Sequence, residues 1–190
     1  MHNTKILFMS KSDDYLFKGV NVLAWIIFIG VCIDAGGVIT NAFYAIFFNS
    51  SFSTHFWGGI DLYNVYKFNE ATFVTLVTLM SIATLLKATM FYLIVKIFHD
   101  KKLDLSKPFN ATLAKYIYLI AYCAFGIGIF SSWGSNLVIG LTNQNVLLPL
   151  IHELKMEGAS IWFLMGSTLL IFAVIFKKGI VLQSDNDLTV

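Results

Sequence analysis

Apolar and polar positions along this chain are segregated into long blocks. Four apolar blocks, at about 20–48, 73–98, 116–141 and 159–176, are separated by short segments rich in Asn, Ser, Lys, Asp and Glu. A helix needs ~20 apolar residues to cross the ~30 Å of hydrocarbon in a bilayer, and these blocks are of about that length. They predict four spanning helices. A closed barrel would also satisfy its backbone polar groups in lipid, but it needs ~10-residue alternating segments divided by turns, and no such period is present. The expected fold is therefore all-α: an integral membrane four-helix bundle made by one transmembrane domain over 1–190, with 177–190 as a tail.

The composition changes this picture little. The chain is 57% hydrophobic and 13% charged, against roughly a quarter charged in soluble domains. The opening "MHNTKILFMSKSDDYLFKG" has no signal-peptide h-region and no small-residue cleavage site, so it reads as retained, with the first span serving as insertion signal. Cys32 and Cys123 both fall inside predicted spans and read as packing residues.

Charge fixes an expected orientation. All 13 basic residues other than histidine are lysines, and with abundant Ile, Phe and Asn this usage suggests an AT-rich bacterial genome. Lys5, Lys11, Lys18, Lys96, Lys101, Lys102, Lys107, Lys115, Lys177 and Lys178 fall on one side of the spans, and Lys67 and Lys155 on the other. The positive-inside rule then places both termini in the cytoplasm of a bacterial inner membrane. The outer link "NSSFSTHFWGGIDLYNVYKFNE" is aromatic and broken by Gly58-Gly59, a composition suited to capping the bundle at headgroup level. The second outer link carries a short amphipathic piece after Pro149. On the inner side, Ser106 and Pro108 suit the N-cap and first turn of the third span.

Two charges interrupt the spans, Asp34 in "GVCIDAGGVITN" and Lys87 in "TLLKATMFYLIV". Each costs ~2.5–3.5 kcal/mol at a helix centre unless it finds a partner. At ~1.5 Å rise per residue, Asp34 lies about 21 Å from the inner end of its span and Lys87 about 16 Å from that of the next, a gap the lysine stem covers. Gly30, Gly37, Val38 and Asn41 give the Asp34 face a small and polar stripe that a neighbouring helix can approach. Asp34, Lys87 and Asn41 are thus the candidate intramembrane ion pair or ligand site, and a register-fixing pair with no other role accounts for the same residues.

Other constellations are weaker. His55, His152 and Glu153 share the outer face but match no metal-ligand spacing, so no metal or cofactor is expected. Gly126, Gly128, Ser131, Ser132, Gly134 and Ser135 permit close helix packing in the third span. There is no phosphate-binding glycine loop, H-E-x-x-H, C-x-x-C or G-x-S-x-G elbow, so the sequence offers no positive sign of catalysis or of nucleic-acid binding.

The ending "IFKKGIVLQSDNDLTV" and the stretch "DLSKPFNATLAKYI" carry a further signal. Through Lys177, Lys178, Gly179, Leu182, Gln183, Asp185, Asp187, Leu188, Thr189 and Val190, with Pro108 and Phe109, the chain resembles the bacterial four-span DUF2975 family. Ser184 and Asp185 depart from it where glutamates are more usual. Members often lie beside a small helix-turn-helix regulator, so the resemblance implies a cytoplasmic partner of that kind, with Lys177, Lys178, Gln183, Asp185 and Asp187 as its binding tail. The expected function is a small non-enzymatic membrane protein of regulatory or partner-binding type. The alternative is a small transporter or channel using the Asp34/Lys87 pair, built as a homo-oligomer because four spans line a path only with help from another copy.

Overall fold

The computed structural model describes residues 11–99 and 110–188, with side chains described for 15–49, 51–99 and 110–185. Among these the chain is all-α. Four long helices carry it: α1 (Lys11–Phe47), α3 (Glu70–His99), α4 (Ala111–Asn143) and α5 (Ala159–Leu188), with a short α2 (Tyr63–Phe68) between the first two. The only strand-like pairing among the described residues is an isolated bridge, Phe56 to Ile60. All four long helices are long and apolar enough to cross a membrane.

Apolar runs predict where these helices lie, but local capping chemistry sets where they begin. Asn69 starts α3 by accepting the Thr72 N–H at 2.9 Å, with Glu70 in the first turn where the helix dipole favours an acid. Asn110 starts α4 by accepting the Leu113 N–H at 2.8 Å. This corrects the expected cap at Ser106, which lies outside the described residues together with Pro108 and Phe109. Asn145, at φ 60°, winds the chain off the end of α4 in the left-handed conformation that asparagine tolerates. α1 begins nine residues before its apolar block, and α5 runs past residue 176 to Leu188 without a break. The first stretch of the expected tail is therefore helix.

The long helices do not close on themselves. α1 packs on α3, α3 on α4 and α4 on α5, while among the described residues α1 and α5 make no helix–helix contact. The result is a row whose middle members are the most buried. Glycines bring the row together: at Gly126 a methyl would press on Leu86 of α3, and at Gly128 on Phe163 of α5. The packing role expected of that small-residue stretch is what these contacts describe. Cys32, by contrast, is exposed on α1, against its expected packing role.

Both links that follow α1 and α4 lie at one end of the row, the capped end. The 48–69 link winds through two 3₁₀ turns and α2, burying Phe56, Leu62 and Val65. Beneath them sit Phe73, Leu76, Val77 and Met80 of α3 and Leu154 and Met156 of the second link, all fully buried. The piece after Pro149 is a set of tight turns rather than a helix, ending in Gly158 at φ 74°.

Candidate functional site

The capped end gathers the charges that the sequence scatters. Its geometry starts with the reversal at Trp57-Gly58-Gly59, where Gly58 and Gly59 take φ of 76° and 79°, a region open to glycine and strained for other residues. The reversal lets the Phe56 N–H bond the Ile60 carbonyl at 2.9 Å and lays the Trp57 indole flat on α1 at Gly37. A Cβ at Gly37 would clash with the face of that ring at Cδ2, Cε2 and Cε3. From this position Trp57 Nε1 donates to Asp34 Oδ1 at 3.1 Å.

The partner of the other Asp34 oxygen comes from the second link. Lys155 Nζ lies 3.4 Å from Asp34 Oδ2, both side chains being 43% exposed. Lys155 holds φ 58°, which costs a non-glycine residue roughly 1–2 kcal/mol. The neighbouring residues hold it there. Leu154 and Met156 are fully buried on either side, Met156 covers Gly134 of α4 so closely that a Cβ there would meet its sulfur, and Ser135 Oγ donates to the Met156 carbonyl at 2.9 Å. In this conformation the Lys155 carbonyl accepts from Lys87 Nζ at 2.8 Å. The Lys87 ammonium also lies 5.6 Å from the centre of the Trp162 ring on α5.

The direct Asp34–Lys87 pair inferred from helix depth is thus replaced by a relay, Trp57–Asp34–Lys155–Lys87–Trp162. The reason is geometric. Measured from the capped end, Asp34 lies about 20 Å below Phe47 and Lys87 about 26 Å below Glu70, and the folded-back link fills the interval with Lys155. Lys155 appeared in the sequence only as one of two lysines on the sparse side, and Trp57 only as part of an aromatic cap. Asn41 stands apart, its amide donating to the Gly37 carbonyl of its own helix at 2.8 Å.

Above the relay lies an open vestibule of about 580 Å³, walled by both links and reaching Asp34, Trp57, Asp61, His152, Glu153 and Lys155. Each outer carboxylate has one oxygen committed to a backbone N–H: Asp61 accepts from Tyr63 and Glu153 from Leu150, at 2.8 and 3.0 Å. Three carboxylates against one ammonium give the vestibule a net negative field, facing an indole wall. His55 does not line it, and its Nδ1 lies 3.0 Å from Thr54 Oγ1. Among the described residues, no three His, Cys, Asp or Glu side chains group as metal ligands would.

At the far end of α5, Lys177, Lys178 and Asp185 are exposed and Gln183 is half-buried. The Asp187 side chain, Thr189 and Val190 lie outside the described groups. These residues and the Pro108-Phe109 pair fall within the stretch that matches a family model, described as Protein of unknown function (DUF2975), over residues 57–190. The chain belongs to the DUF2975 family. No curated protein and no solved structure matches it. The DUF2975 match takes in Trp57, Lys87, Lys155 and Trp162, whereas Asp34 and the whole of α1 precede it.

Proposed function

We propose that this DUF2975 protein is a multi-pass protein of a bacterial cytoplasmic membrane, with both termini inside, that works by binding rather than by catalysis. In this reading the vestibule receives a small polar ligand from outside, and the inner part of α5 engages a cytoplasmic partner such as a helix-turn-helix regulator. Insertion is supported by four helices of spanning length and by large apolar side chains exposed along them, among them Ile26, Ile29, Leu164 and Ile171. Orientation is supported by the lysines of the connecting segments and ends, which crowd the side bearing the termini and leave Lys67 and Lys155 on the other, with Lys87 of α3 bonded to the latter.

The observation that carries the binding reading is the relay itself. One link touches α1 through Asp34, α3 through Lys87 and, by way of Lys87, the first turn of α5 at Trp162. A ligand that competes for Asp34 or Lys155 alters the contacts that seat α5, whose other end carries Lys177 to Leu188. Such a ligand shifts the tail only by the difference in its affinity for the two arrangements.

Two measurements test this. After both native cysteines are replaced by serine, Lys67→Cys is expected to react with an impermeant maleimide in intact cells and Lys178→Cys only after permeabilisation. The reverse pattern rejects the orientation. Full-length tagged protein is expected to co-purify a cytoplasmic protein that is lost on deleting 177–190 and altered by Asp34→Asn. Unchanged partners and phenotype in both variants reject the binding reading.

The flanks of α1 and α5, which no other long helix covers among the described residues, favour a second reading, a transporter or channel completed by another copy. Liposome flux insensitive to Asp34→Asn and Lys87→Met would exclude a path through the relay.

A further inference from the structure

The floor of the vestibule already holds an ammonium group. Lys155 Nζ stands 3.4 Å from Asp34 Oδ2, and both side chains remain 43% exposed, so solvent reaches the pair and it separates at little cost. The other oxygen of that carboxylate is held by Trp57 Nε1 at 3.1 Å, which keeps the acceptor aimed when the lysine leaves. Trp57 rests one face on α1 at Gly37 and turns the remainder of its ring to the vestibule. An indole beside a carboxylate offers one cation both a π-face and a counter-charge. The relay pairs an ammonium with an indole once elsewhere, where Lys87 Nζ lies 5.6 Å from the centre of the Trp162 ring.

The rest of the lining extends the same preference. With Lys155 counted against Asp34, the carboxylates of Asp61 and Glu153 remain, each bonded through one oxygen to a backbone N–H and neither with an ion-pair partner among the described residues. The Lys87 ammonium lies outside the lining, bonded to the Lys155 carbonyl. Between the acids, Ile60, Leu147, Leu148 and Pro149 supply apolar wall. We propose that the vestibule binds a small organic ammonium ion carrying alkyl groups, of the choline type, whose charged nitrogen takes the place of the Lys155 ammonium between Asp34 and Trp57. The inference rests on the vestibule reading above and names its ligand class. Lys155 is then a tethered competitor for the carboxylate. Its side chain swings away on a four-carbon stem while its backbone stays, because Leu154 and Met156 on either side are fully buried. A metal ion is the poorer occupant, since no three ligating side chains group together among the described residues, and an anion would meet two carboxylates with no counter-charge.

The test is a titration of the full-length protein in detergent with choline chloride at constant ionic strength, read by the fluorescence component lost in Trp57→Phe, beside the neutral isostere 3,3-dimethylbutan-1-ol. Choline is expected to saturate the signal and the isostere to bind about tenfold more weakly, the combined effect of an exposed ion pair and a cation–π contact. The two members of the Asp34–Lys155 pair are expected to act in opposite directions. Asp34→Asn should abolish the choline response, whereas Lys155→Met should tighten it about fivefold by removing the competitor, the upper end for an exposed pair, and Lys155→Arg should leave it as in wild type. A merely structural pair would weaken binding from either side. Loss of the response in Lys155→Met, equal binding of choline and its isostere, or displacement of choline by an equal concentration of magnesium overturns the ammonium site. No response to choline overturns it as well; the broader binding reading then survives if Asp34→Asn still alters the co-purified cytoplasmic protein, and falls with it if not. Should Asp34→Asn fail to fold, the contrast between Lys155→Met and Lys155→Arg carries the test, and equal affinities in the two overturn the proposal.

Discussion

Gly37→Ala adds a single carbon to the middle of α1, where helix propensity alone favours alanine by ~0.8–1 kcal/mol. The structure predicts the opposite sign. The new methyl would press far inside contact distance on the face of the Trp57 indole, so the ring must lift to the ~3.5–4 Å contact distance of carbon atoms. Overpacking of this kind costs ~1–3 kcal/mol. Lifting the ring also breaks the bond from Trp57 Nε1 to Asp34, already long at 3.1 Å. A bond to an ionised acceptor contributes ~1.5–3 kcal/mol, and the half-exposure of Asp34 puts this one at the low end. The strain and the broken bond overlap, because one movement relieves the first by sacrificing the second. After the propensity gain, a net loss of about 2 kcal/mol remains, or a fall of about 4–8 °C in midpoint for a chain of this length. Thermal unfolding of the detergent-solubilised protein measures it. Gly36→Ala is the internal control, since nothing lies within 4 Å of its added carbon. In a Trp57→Ala background the cost of Gly37→Ala should disappear, a double-mutant cycle that isolates the contact. If Gly37→Ala is neutral or stabilising like its neighbour, the indole does not rest on α1 and the vestibule has lost a wall.

Three further outcomes follow from the relay and the links. Lys87→Met should cost about 2–3 kcal/mol through loss of the bond to the Lys155 carbonyl and of the contact with Trp162, together with a shift in Trp162 emission; an unchanged melting point and spectrum would remove Lys87 from the relay. Lys155→Met paired with Asp34→Asn should show a coupling of no more than ~1 kcal/mol that shrinks with added salt, because the ion pair is half-exposed; a salt-insensitive coupling of several kcal/mol would mean a dry pair. Gly134→Ala should destabilise by ~1–3 kcal/mol by displacing Met156, whereas Gly140→Ala, with open space around its added carbon, should not; equal midpoints for the two would show that the second link is not seated on α4.

The four helices were legible because lipid-length apolar runs are a coarse and redundant signal, carried by every residue of 73–98 or 116–141 at once. Their termini were less so. Hydropathy marks where a helix suits hydrocarbon, while hydrogen bonding continues wherever the chain permits, and so α1 reaches back to Lys11 and α5 continues through Lys177-Lys178. Asp34 and Lys87 stood out for a similar reason, as single charges against an apolar background. Their connection did not, because Lys155 lies 121 positions along the chain from Asp34 and looks like an ordinary loop lysine. Depth can be counted along a helix but not along a link that turns back into the row. Gly37 belongs to a small-residue stripe that suggested a neighbouring helix, and the group that came instead was one indole from a loop.

Finally, the order of packing in the row matches the order of the chain. α3 meets an α1 already made, α4 meets α3 and α5 meets α4, and no long helix waits for one synthesised much later. Assembly can therefore follow translation one hairpin at a time, with loop-closure costs kept to short links. The polar relay is the exception. Asp34 emerges early and is matched by Lys155 only when the second link has been made, so the newborn α1 carries its carboxylate without that lysine until the last helix is about to enter.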